Sequence, residues 1–192
     1  MLHSLAIAVW IALPVVVAGL VHVTVIKLRL FGWLAAIPLD GGIKLGGRTL
    51  FGENKTLRGA LVMITASAGC VWLHVQLSSL WPWTEQLLPA FEHNHPLAWG
   101  ALAGTGYIAG ELPNSFAKRR LGIGPGATAT GGLGAVLWTV DQIDSMAGVL
   151  VFLLPVWTPP LNVVVALLGV TLVVHPIVAL VMFFLGLKTR VG

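Results

Sequence analysis

Residues 110–145 read GELPNSFAKRRLGIGPGATATGGLGAVLWTVDQIDS, and this stretch indicates both the fold and the position of a site. Glu111 lies near the end of one apolar segment, and Asp141 and Asp144 lie within the next. The cationic run 118–120 stands between them. Acidic residues inside apolar segments are costly and tend to mark sites or water-filled cavities. Carboxylates that can hold a divalent cation therefore flank a cationic cluster that can hold phosphate.

Composition places the chain among integral membrane proteins. Of its 192 residues, 57% are hydrophobic and 9% are charged, and its mean hydropathy is +0.91. Soluble globular domains are about 25% charged. An isoelectric point of 9.7 is also typical of nucleic-acid binding, but basic residues in a membrane protein mark its cytoplasmic side, so no nucleic-acid partner is predicted. The length suits a single all-α membrane domain over residues 1–192.

Five apolar segments are long enough to cross a bilayer as helices, which takes about 20 residues. Two basic, glycine-rich segments, 27–58 and 117–131, interrupt them, and we predict these to be cytoplasmic loops. The predicted transmembrane segments are 4–26, 59–81, 97–116, 132–157 and 161–187.

The lysines and arginines set the predicted orientation. All eleven fall in 27–58, in 117–131 or in the C-terminal tail. With five spans these segments lie on one side of the membrane, and the positive-inside rule makes that side cytoplasmic. We therefore predict a multi-pass protein of the cell membrane, with its N-terminus outside and its C-terminus and active site on the cytoplasmic side.

Helical spacing groups the acidic residues. Asp141, Asp144 and Ser145 stand at i, i+3 and i+4 and therefore share one face of the fourth segment. On the third segment, Glu111 shares a face with Ser115. Carboxylates can hold a divalent cation, so Glu111, Asp141 and Asp144 are candidate metal ligands.

The third segment also carries two GxxxG patterns, Gly100 with Gly104 and Gly106 with Gly110. Glycines at this spacing let another helix backbone approach closely. We interpret both patterns as helix-packing surfaces.

The first basic loop contains PLDGGIKLGGRTLFGENKTLRG at residues 38–59. Its glycines allow positive φ and a close backbone approach to a ligand, and Lys44, Arg48, Lys55 and Arg58 alternate with them. Backbone amides together with basic side chains suit a polyphosphate, so these four residues are predicted to bind substrate phosphates. The alternative is an ordinary loop attracted to anionic lipid, and the spacing does not match a P-loop.

These motifs resemble those of a known family, the CDP-archaeol synthases, which are relatives of the CTP:phosphatidate cytidylyltransferases. GELPNSFAKRRLGIGPG at 110–126 followed by DQIDS at 141–145 is similar to a region that reads S-x-x-K-R and later D-R-x-D in the wider group. GRTLFGENKTLRG at 47–59 resembles the family's loop ending in K-T-x-R-G. His175 and the GLK at 186–188 resemble its last helix, so the resemblance covers nearly the whole chain.

The resemblance implies transfer of CMP from CTP to the phosphate of a membrane lipid, with release of pyrophosphate and with Mg²⁺ as cofactor. It implies that Asp141 and Asp144 are the acidic metal-binding pair and that they are catalytic together with Lys118. Glu111 departs from the family, which usually has Asp there, and the extra methylene leaves its distance to a metal open. The implied CTP-binding residues are Ser115, Lys118 and Arg119 of S-x-x-K-R, and Lys55, Thr56 and Arg58 of K-T-x-R.

The sequence leaves several alternatives open. A small membrane transporter would also use intramembrane carboxylates, although no internal repeat of the kind that transporters carry is found. A CDP-alcohol phosphotransferase would also use Mg²⁺ and acidic residues, but its D-G-x-x-A-R pattern is absent. A purely structural role is the alternative for Asp141, in which it forms an intramembrane salt bridge with Lys118 or Arg119. The predicted partners are CTP, a phosphorylated membrane lipid and the bilayer. Whether the lipid is archaeol-type or phosphatidate, and which oligomer forms, stays open.

Overall fold

The computed structural model describes residues 1–87 and 95–186, apart from the side chains of Glu85 and Gln86. In the described part the protein is mostly helical, as predicted, and each of the five predicted segments corresponds to one long helix. The end of the fifth segment at 187, the basic tail and the outer loop around Glu92 lie outside the described residues. The elements are α1 (Leu2–Lys27), α2 (Gly32–Ala35), β1 (Lys44–Leu45), β2 (Arg48–Thr49), α3 (Leu57–Ser78), a 3₁₀ helix (Pro82–Leu87), α4 (Pro96–Arg120), α5 (Gly131–Leu153) and α6 (Leu161–Phe184).

Four of the described helices, α1, α3, α5 and α6, are long and apolar enough to cross a membrane. The helix α4 is equally long but less apolar, and it packs between α3 and α5. None of its residues from Trp99 to Leu112 is exposed. A helix that packs between two others and has no exposed residue over this length turns little surface to lipid, so its composition is free to include polar residues. The most polar of the five long helices is therefore the central one, and it carries part of the site.

Glycines set the close approach of α4 to its neighbours. A Cβ atom on Gly100 would lie 2.5 Å from the backbone oxygen of Ser67 on α3. On the other side, a Cβ on Gly106 would lie 2.6 Å from the backbone oxygen of Gly148 on α5, and one on Gly110 would lie 2.9 Å from the Gly148 Cα. These distances are too short for any side chain, so the predicted use of both GxxxG patterns for backbone packing is confirmed.

The end of α4 differs from the prediction. The sequence suggested that the segment ends at 116 and that a loop starts at 117, but the helix continues through the basic run 118–120. Lysine and arginine are good helix formers and suit the negative end of a helix dipole. The helix stops at Gly122, whose φ is +82°. The amides of Gly122 and Ile123 donate to the carbonyls of Arg119 (3.2 Å) and Lys118 (2.9 Å), which is the Schellman pattern of hydrogen bonds.

Other helices also differ from the predicted bounds at their ends. The helix α3 ends at Ser78 rather than at 81, and the helix α6 ends at Phe184 rather than at 187. The helix α3 begins at Leu57, before the predicted start at 59, because Thr56 caps it with a side-chain oxygen 3.4 Å from the amide nitrogen of Gly59. The helix α5 ends at Leu153 rather than at 157, since Pro155 has no backbone N–H to continue the helical hydrogen bonds. Thr56 was predicted to contact CTP, and the structure gives it this capping role.

The basic loop before α3 holds a small β-hairpin that the all-α prediction missed. Strands β1 and β2 pair antiparallel, with Leu45 opposite Arg48. The connecting residues Gly46 and Gly47 have φ of +58° and +77°, as a two-residue type I′ turn requires. The two ends of the loop meet again, because the Leu39 amide donates to the Lys55 carbonyl at 2.8 Å. The loop is thus closed beside the start of α3, and Lys55 has a fixed position.

Asp40 organises the interior of this loop. Its side chain is buried, and its two oxygens each accept a backbone hydrogen bond of 3.0 Å, from Gly42 and from Phe51. Burial alone raises the pKa of the carboxyl, but these and other backbone donors outweigh it and hold the pKa below its usual value. The carboxylate therefore stabilises the loop at neutral pH.

We expect Asp40→Asn to loosen the loop, because the amide presents one acceptor oxygen where two are used. A lost hydrogen bond to a charged group costs about 1.5–3 kcal/mol, so amide exchange across the peptide containing Gly42 and Phe51 should quicken by about 10- to 150-fold. Hydrogen-exchange mass spectrometry measures this. In the wild type the contribution is present above the unfolded pKa of about 3.9 and is lost only as the pH falls through the lower folded value. Unchanged exchange in the variant at pH 7 would refute this role.

Candidate active site

One face of α4 meets one face of α5 at the site. Glu111, Asn114 and Lys118 stand at i, i+3 and i+7 along α4, and they face the acidic stretch of α5. Lys118 Nζ lies 2.5 and 2.6 Å from the two carboxylate oxygens of Asp141. Asn114 Nδ2 donates to Asp141 Oδ1 at 2.5 Å and to Asp144 Oδ2 at 2.7 Å. One buried amide thus holds both aspartates of the DQxD pair.

Glu111 completes the acidic cluster. The hydroxyl oxygen of Ser145 lies 3.1 Å from Glu111 Oε1 and 3.1 Å from Asp144 Oδ1. A hydroxyl carries one proton, so it can donate to only one of these two carboxylates at a time. Asp144 Oδ1 also accepts the backbone N–H of Ser145 at 2.6 Å, and Lys55 makes an ion pair with Glu111. Three carboxylates and two lysines therefore share one site.

Asn114 is the site residue that sequence reasoning missed. The sequence paired Glu111 with Ser115, and Ser115 does line the site cavity, but Asn114 makes the hydrogen bonds. The signal was available in the spacing, since Asn114 stands three residues after Glu111 and four before Lys118. The contact itself depends on how α4 packs against α5, which places the Asn114 amide between the two aspartates.

The site opens into a large cavity of about 2030 Å³, part of it open to the outside. Its walls include the loop 126–129 and the first turn of α5. The first N–H groups of a helix have no partners within the helix and favour anions. Of the predicted site residues, the cavity brings together Lys55, Glu111, Ser115, Lys118, Arg119, Asp141 and Asp144.

Arg119 is a buried guanidinium on the wall of this cavity. Only 7% of its surface is exposed, and its Nε and Nη1 find no hydrogen-bond partner among the described residues. A buried charged donor without a partner is costly, and guanidinium groups match phosphate oxygens well. The environment of Arg119 therefore suits an anion such as a phosphate.

Arg48 has a different place from the predicted one. Its Nη1 donates to the backbone carbonyls of Arg119 (3.3 Å) and Arg120 (3.0 Å) at the end of α4. In return, Arg120 donates to the carbonyls of Arg48 at 3.0 Å and Thr49 at 2.7 Å, and to that of Leu45. These reciprocal bonds fasten the hairpin onto α4.

The remaining predicted phosphate-binding residues do not line the cavity. Lys44 is exposed on β1, and Arg58 donates to the carbonyl of Leu30 at 3.3 Å. Neither of them, nor Arg48 or Thr56, lines the cavity in the described part of the chain. Their predicted contacts with CTP have no support from this geometry.

A second, apolar cavity lies between α1 and α6. It meets the polar cavity at residues that line both, among them His22 of α1, Tyr107 of α4, Gln142 of α5 and His175 of α6. His175 Nδ1 lies 2.7 Å from Gln142 Oε1. The sequence left the role of His175 open, and the structure places it at this junction.

The donor set suits Mg²⁺ in its chemistry. Carboxylate oxygens together with water and substrate phosphate are the ligands this ion prefers. In the described part of the chain, no group of three His, Cys, Asp or Glu side chains surrounds one point as it would around an ion. The positive charge beside the three carboxylates comes from Lys55 and Lys118. The residues present fit the ion in the type of their oxygen donors, and in this structure lysines are the partners of two of the three carboxylates.

Comparison with known proteins points to one family. A family model described as "CarS-like: CDP-archaeol synthase" matches residues 1–191. The chain is 34% identical over 182 residues to the CDP-archaeol synthase of Methanopyrus kandleri, with 93% of this chain and 88% of that relative covered. It is 33% identical to the CDP-archaeol synthase of Halobacterium salinarum, with 96% and 95% covered.

A solved structure has a similar fold. It is described as "Structural insight into an intramembrane enzyme for archaeal membrane lipids biosynthesis", and it matches with a TM-score of 0.61 over 88% of this chain and 89% of its own, at 24% identity. This likeness supports the prediction of a multi-pass helical membrane protein. Because the family match covers nearly all residues and the relatives exceed 30% identity, the chain belongs to the CDP-archaeol synthase family and is an enzyme of the nucleotidyltransferase class.

Proposed function

We propose that the protein transfers CMP from CTP to the phosphate of an archaeol-type ether lipid, giving a CDP-activated lipid and pyrophosphate. The observation that carries the proposal is the single polar cavity that holds three carboxylates, two lysines and a buried arginine. The names of the relatives supply the lipid class. A transporter or a CDP-alcohol phosphotransferase has no comparable support, since the family match spans residues 1–191.

The reaction brings two anions together, and the cavity carries charges that oppose their repulsion. An oxygen of the lipid phosphate forms a bond to the α-phosphorus of CTP. The bond from that phosphorus to the bridging oxygen breaks, and pyrophosphate leaves with the electron pair. Such transfers depend mainly on positioning and on neutralising charge. Arg119 and Lys118 are the cations that we assign to the phosphates of CTP.

Mg²⁺ is the cofactor that we propose, held by Asp141 and Asp144 with Glu111 as a third carboxylate. Bound there, it would supply positive charge to the phosphate oxygens that gain negative charge. Asn114 orients the aspartates, because its amide donates to both carboxylates. Lys118 and Lys55, which neutralise Asp141 and Glu111 in this structure, can instead bind phosphate oxygens when substrate is present.

Labelled CTP tests the proposed function directly. With purified protein in detergent, label on the α-phosphate should enter the lipid fraction, and label on the γ-phosphate should appear in pyrophosphate. An ether-linked isoprenoid glycerol phosphate and phosphatidate are offered as separate acceptors, with and without Mg²⁺ or Mn²⁺. We expect the ether lipid to be the better acceptor. Absence of lipid label with both acceptors would rule out the proposed function, and a preference for phosphatidate would overturn the lipid assignment.

We also propose that all five long helices cross the membrane, with the polar cavity on the cytoplasmic side. Lys27 donates to the carbonyl of Leu185 at 3.3 Å, and Arg58 donates to that of Leu30. These bonds join the C-terminal ends of α1 and α6 and the start of α3 at the end of the bundle that carries the basic loop. Basic residues favour the cytoplasmic face, so this arrangement supports the proposed orientation.

Fusion reporters check this orientation. A reporter placed after Gly192 should be active in the cytoplasm, and one inserted at Glu92 should be active outside. Cysteine labelling with an impermeant reagent gives a second reading at the same two positions. A cytoplasmic signal at Glu92 would contradict five spans and leave α4 unable to cross.

A further inference from the structure

The side chains where the two cavities meet differ in type from those that line the rest of either cavity. The apolar cavity is lined mostly by aliphatic residues of α1 and α6, and the polar cavity by charged residues of α4 and α5. Where they meet, four long helices each contribute one side chain that can form hydrogen bonds. We call these four the junction residues: His22, Tyr107, Gln142 and His175.

Hydrogen bonding fixes the state of the His175 ring. Gln142 is buried, and its Nε2 donates to the carbonyl of Trp138 at 2.8 Å. Its Oε1 is therefore the atom that faces His175, and a carbonyl oxygen can only accept. The Nδ1 of His175, 2.7 Å away, must carry the proton. Gln142 thus defines the tautomer and orientation of the ring, as hydrogen-bonded partners of histidine generally do.

We propose that the acceptor lipid binds across this junction, with its phosphate on His175 Nε2 and its hydrocarbon chains in the apolar cavity between α1 and α6. The inference rests on the proposed function and names the place of the second substrate. With Nδ1 protonated, Nε2 shares one proton with a phosphate oxygen, whichever of the two partners holds it. Gln142 and His175 line the polar cavity together with Asp141 and Asp144, so this position brings the lipid phosphate toward the proposed reaction centre.

The shape of the substrate favours this placement over either cavity alone. A phosphorylated lipid has a charged head, which is costly to bury among aliphatic side chains, and long chains, which gain from leaving water. Only a site that spans the boundary satisfies both parts. Gln142 then acts as a positioning residue, because its hydrogen bond holds the His175 ring at the boundary.

Two substitutions at His175 separate substrate binding from a structural role. His175→Asn keeps a donor near the position of Nδ1 and so keeps the bond to Gln142, whereas His175→Gln places a polar group near the position of Nε2. Binding of the lipid phosphate predicts that the Asn variant raises the KM for the acceptor by about 10- to 150-fold. It also predicts that the KM for CTP stays within about twofold and that the Gln variant is less affected. A structural role predicts the reverse order, with a lower melting temperature for the Gln variant.

A glycine on the wall of the apolar cavity tests the position of the chains. An added Cβ at Gly19 meets no atom within 4 Å, and Gly19 lines the apolar cavity, so Gly19→Leu adds a side chain at the cavity wall. We expect it to raise the KM for a long-chain acceptor by about fivefold or more, with a smaller effect on a short-chain acceptor. Gly69→Leu is the matched control, because Gly69 is exposed on α3, has the same open surroundings and lines neither cavity.

The outcomes distinguish this inference from the proposed function. If the wild type forms no CDP-lipid, the proposed function fails and the inference fails with it. If the wild type is active but His175→Asn keeps the acceptor KM, only the inference is overturned. Equal effects of Gly19→Leu and Gly69→Leu on both acceptors would likewise show that the hydrocarbon chains do not bind in the apolar cavity.

Discussion

Asp141→Asn and Asp144→Asn are each expected to lower kcat for CDP-lipid formation by about 10²- to 10³-fold or more, the loss that follows removal of one strong electrostatic contact to a transition state. Asparagine keeps the size of aspartate and can still accept hydrogen bonds from Asn114 and Lys118. The change removes charge while the packing of α4 on α5 stays. Melting temperature, measured by tryptophan fluorescence in detergent, should therefore change little. Full activity of Asp141→Asn would overturn the proposed metal site.

Glu111 provides the matched comparison for this prediction. Glu111→Gln removes the charge at constant length and should be nearly as damaging as the aspartate variants. Glu111→Asp keeps the charge and moves the carboxylate back by one methylene, so it should keep measurable activity with an altered response to Mg²⁺ and Mn²⁺. If these carboxylates made only structural ion pairs, the neutral variants would lose thermal stability in proportion to activity, and added metal would recover nothing.

Much of the fold could be predicted because hydropathy and glycine spacing act locally. Each of the five apolar segments corresponds to a helix, and the glycines at 100, 106 and 110 lie where backbones meet. The acidic face of α5 was also visible, since Asp141 and Asp144 stand one turn apart whatever the rest of the chain does. These features need only the period of the helix and the length of the segment.

The parts that sequence reasoning missed depend on contacts between distant segments. Arg48 carries the same charge as the residues predicted to bind phosphate, and only its position beside the end of α4 shows that its donors are used by backbone carbonyls. Asn114 is a site residue because the packing of α4 on α5 brings its amide to both aspartates. Position in the fold decides which cation faces the cavity, and charge alone does not.

Three variants that each lose one positive charge at the same end of the bundle test whether position in the fold or charge alone decides the role of a cation. Lys118→Met and Arg119→Met should each raise the KM for CTP, or lower kcat, by about 10- to 150-fold, the cost of one charge-assisted contact to phosphate. Arg58→Met should change either parameter by no more than about fivefold, the effect of one basic residue on general attraction of anions. The sequence predicted a CTP contact for Arg58 as well, so a large effect there would favour the sequence over the geometry.

Product inhibition and a double variant complete the test. If Lys118 and Arg119 bind the phosphates that leave, the inhibition constant for pyrophosphate should rise by the same factor as the KM for CTP. Lys118 also pairs with Asp141, so its loss has a second possible cause, which is an unpaired carboxylate. The double variant Lys118→Met with Asp141→Asn separates the two, because coupled residues deviate from additivity. If the ion pair is the whole role of Lys118, the double variant will be no worse than Asp141→Asn alone, and pyrophosphate inhibition of Lys118→Met will be unchanged. A further loss of CTP binding in the double variant assigns Lys118 to the substrate.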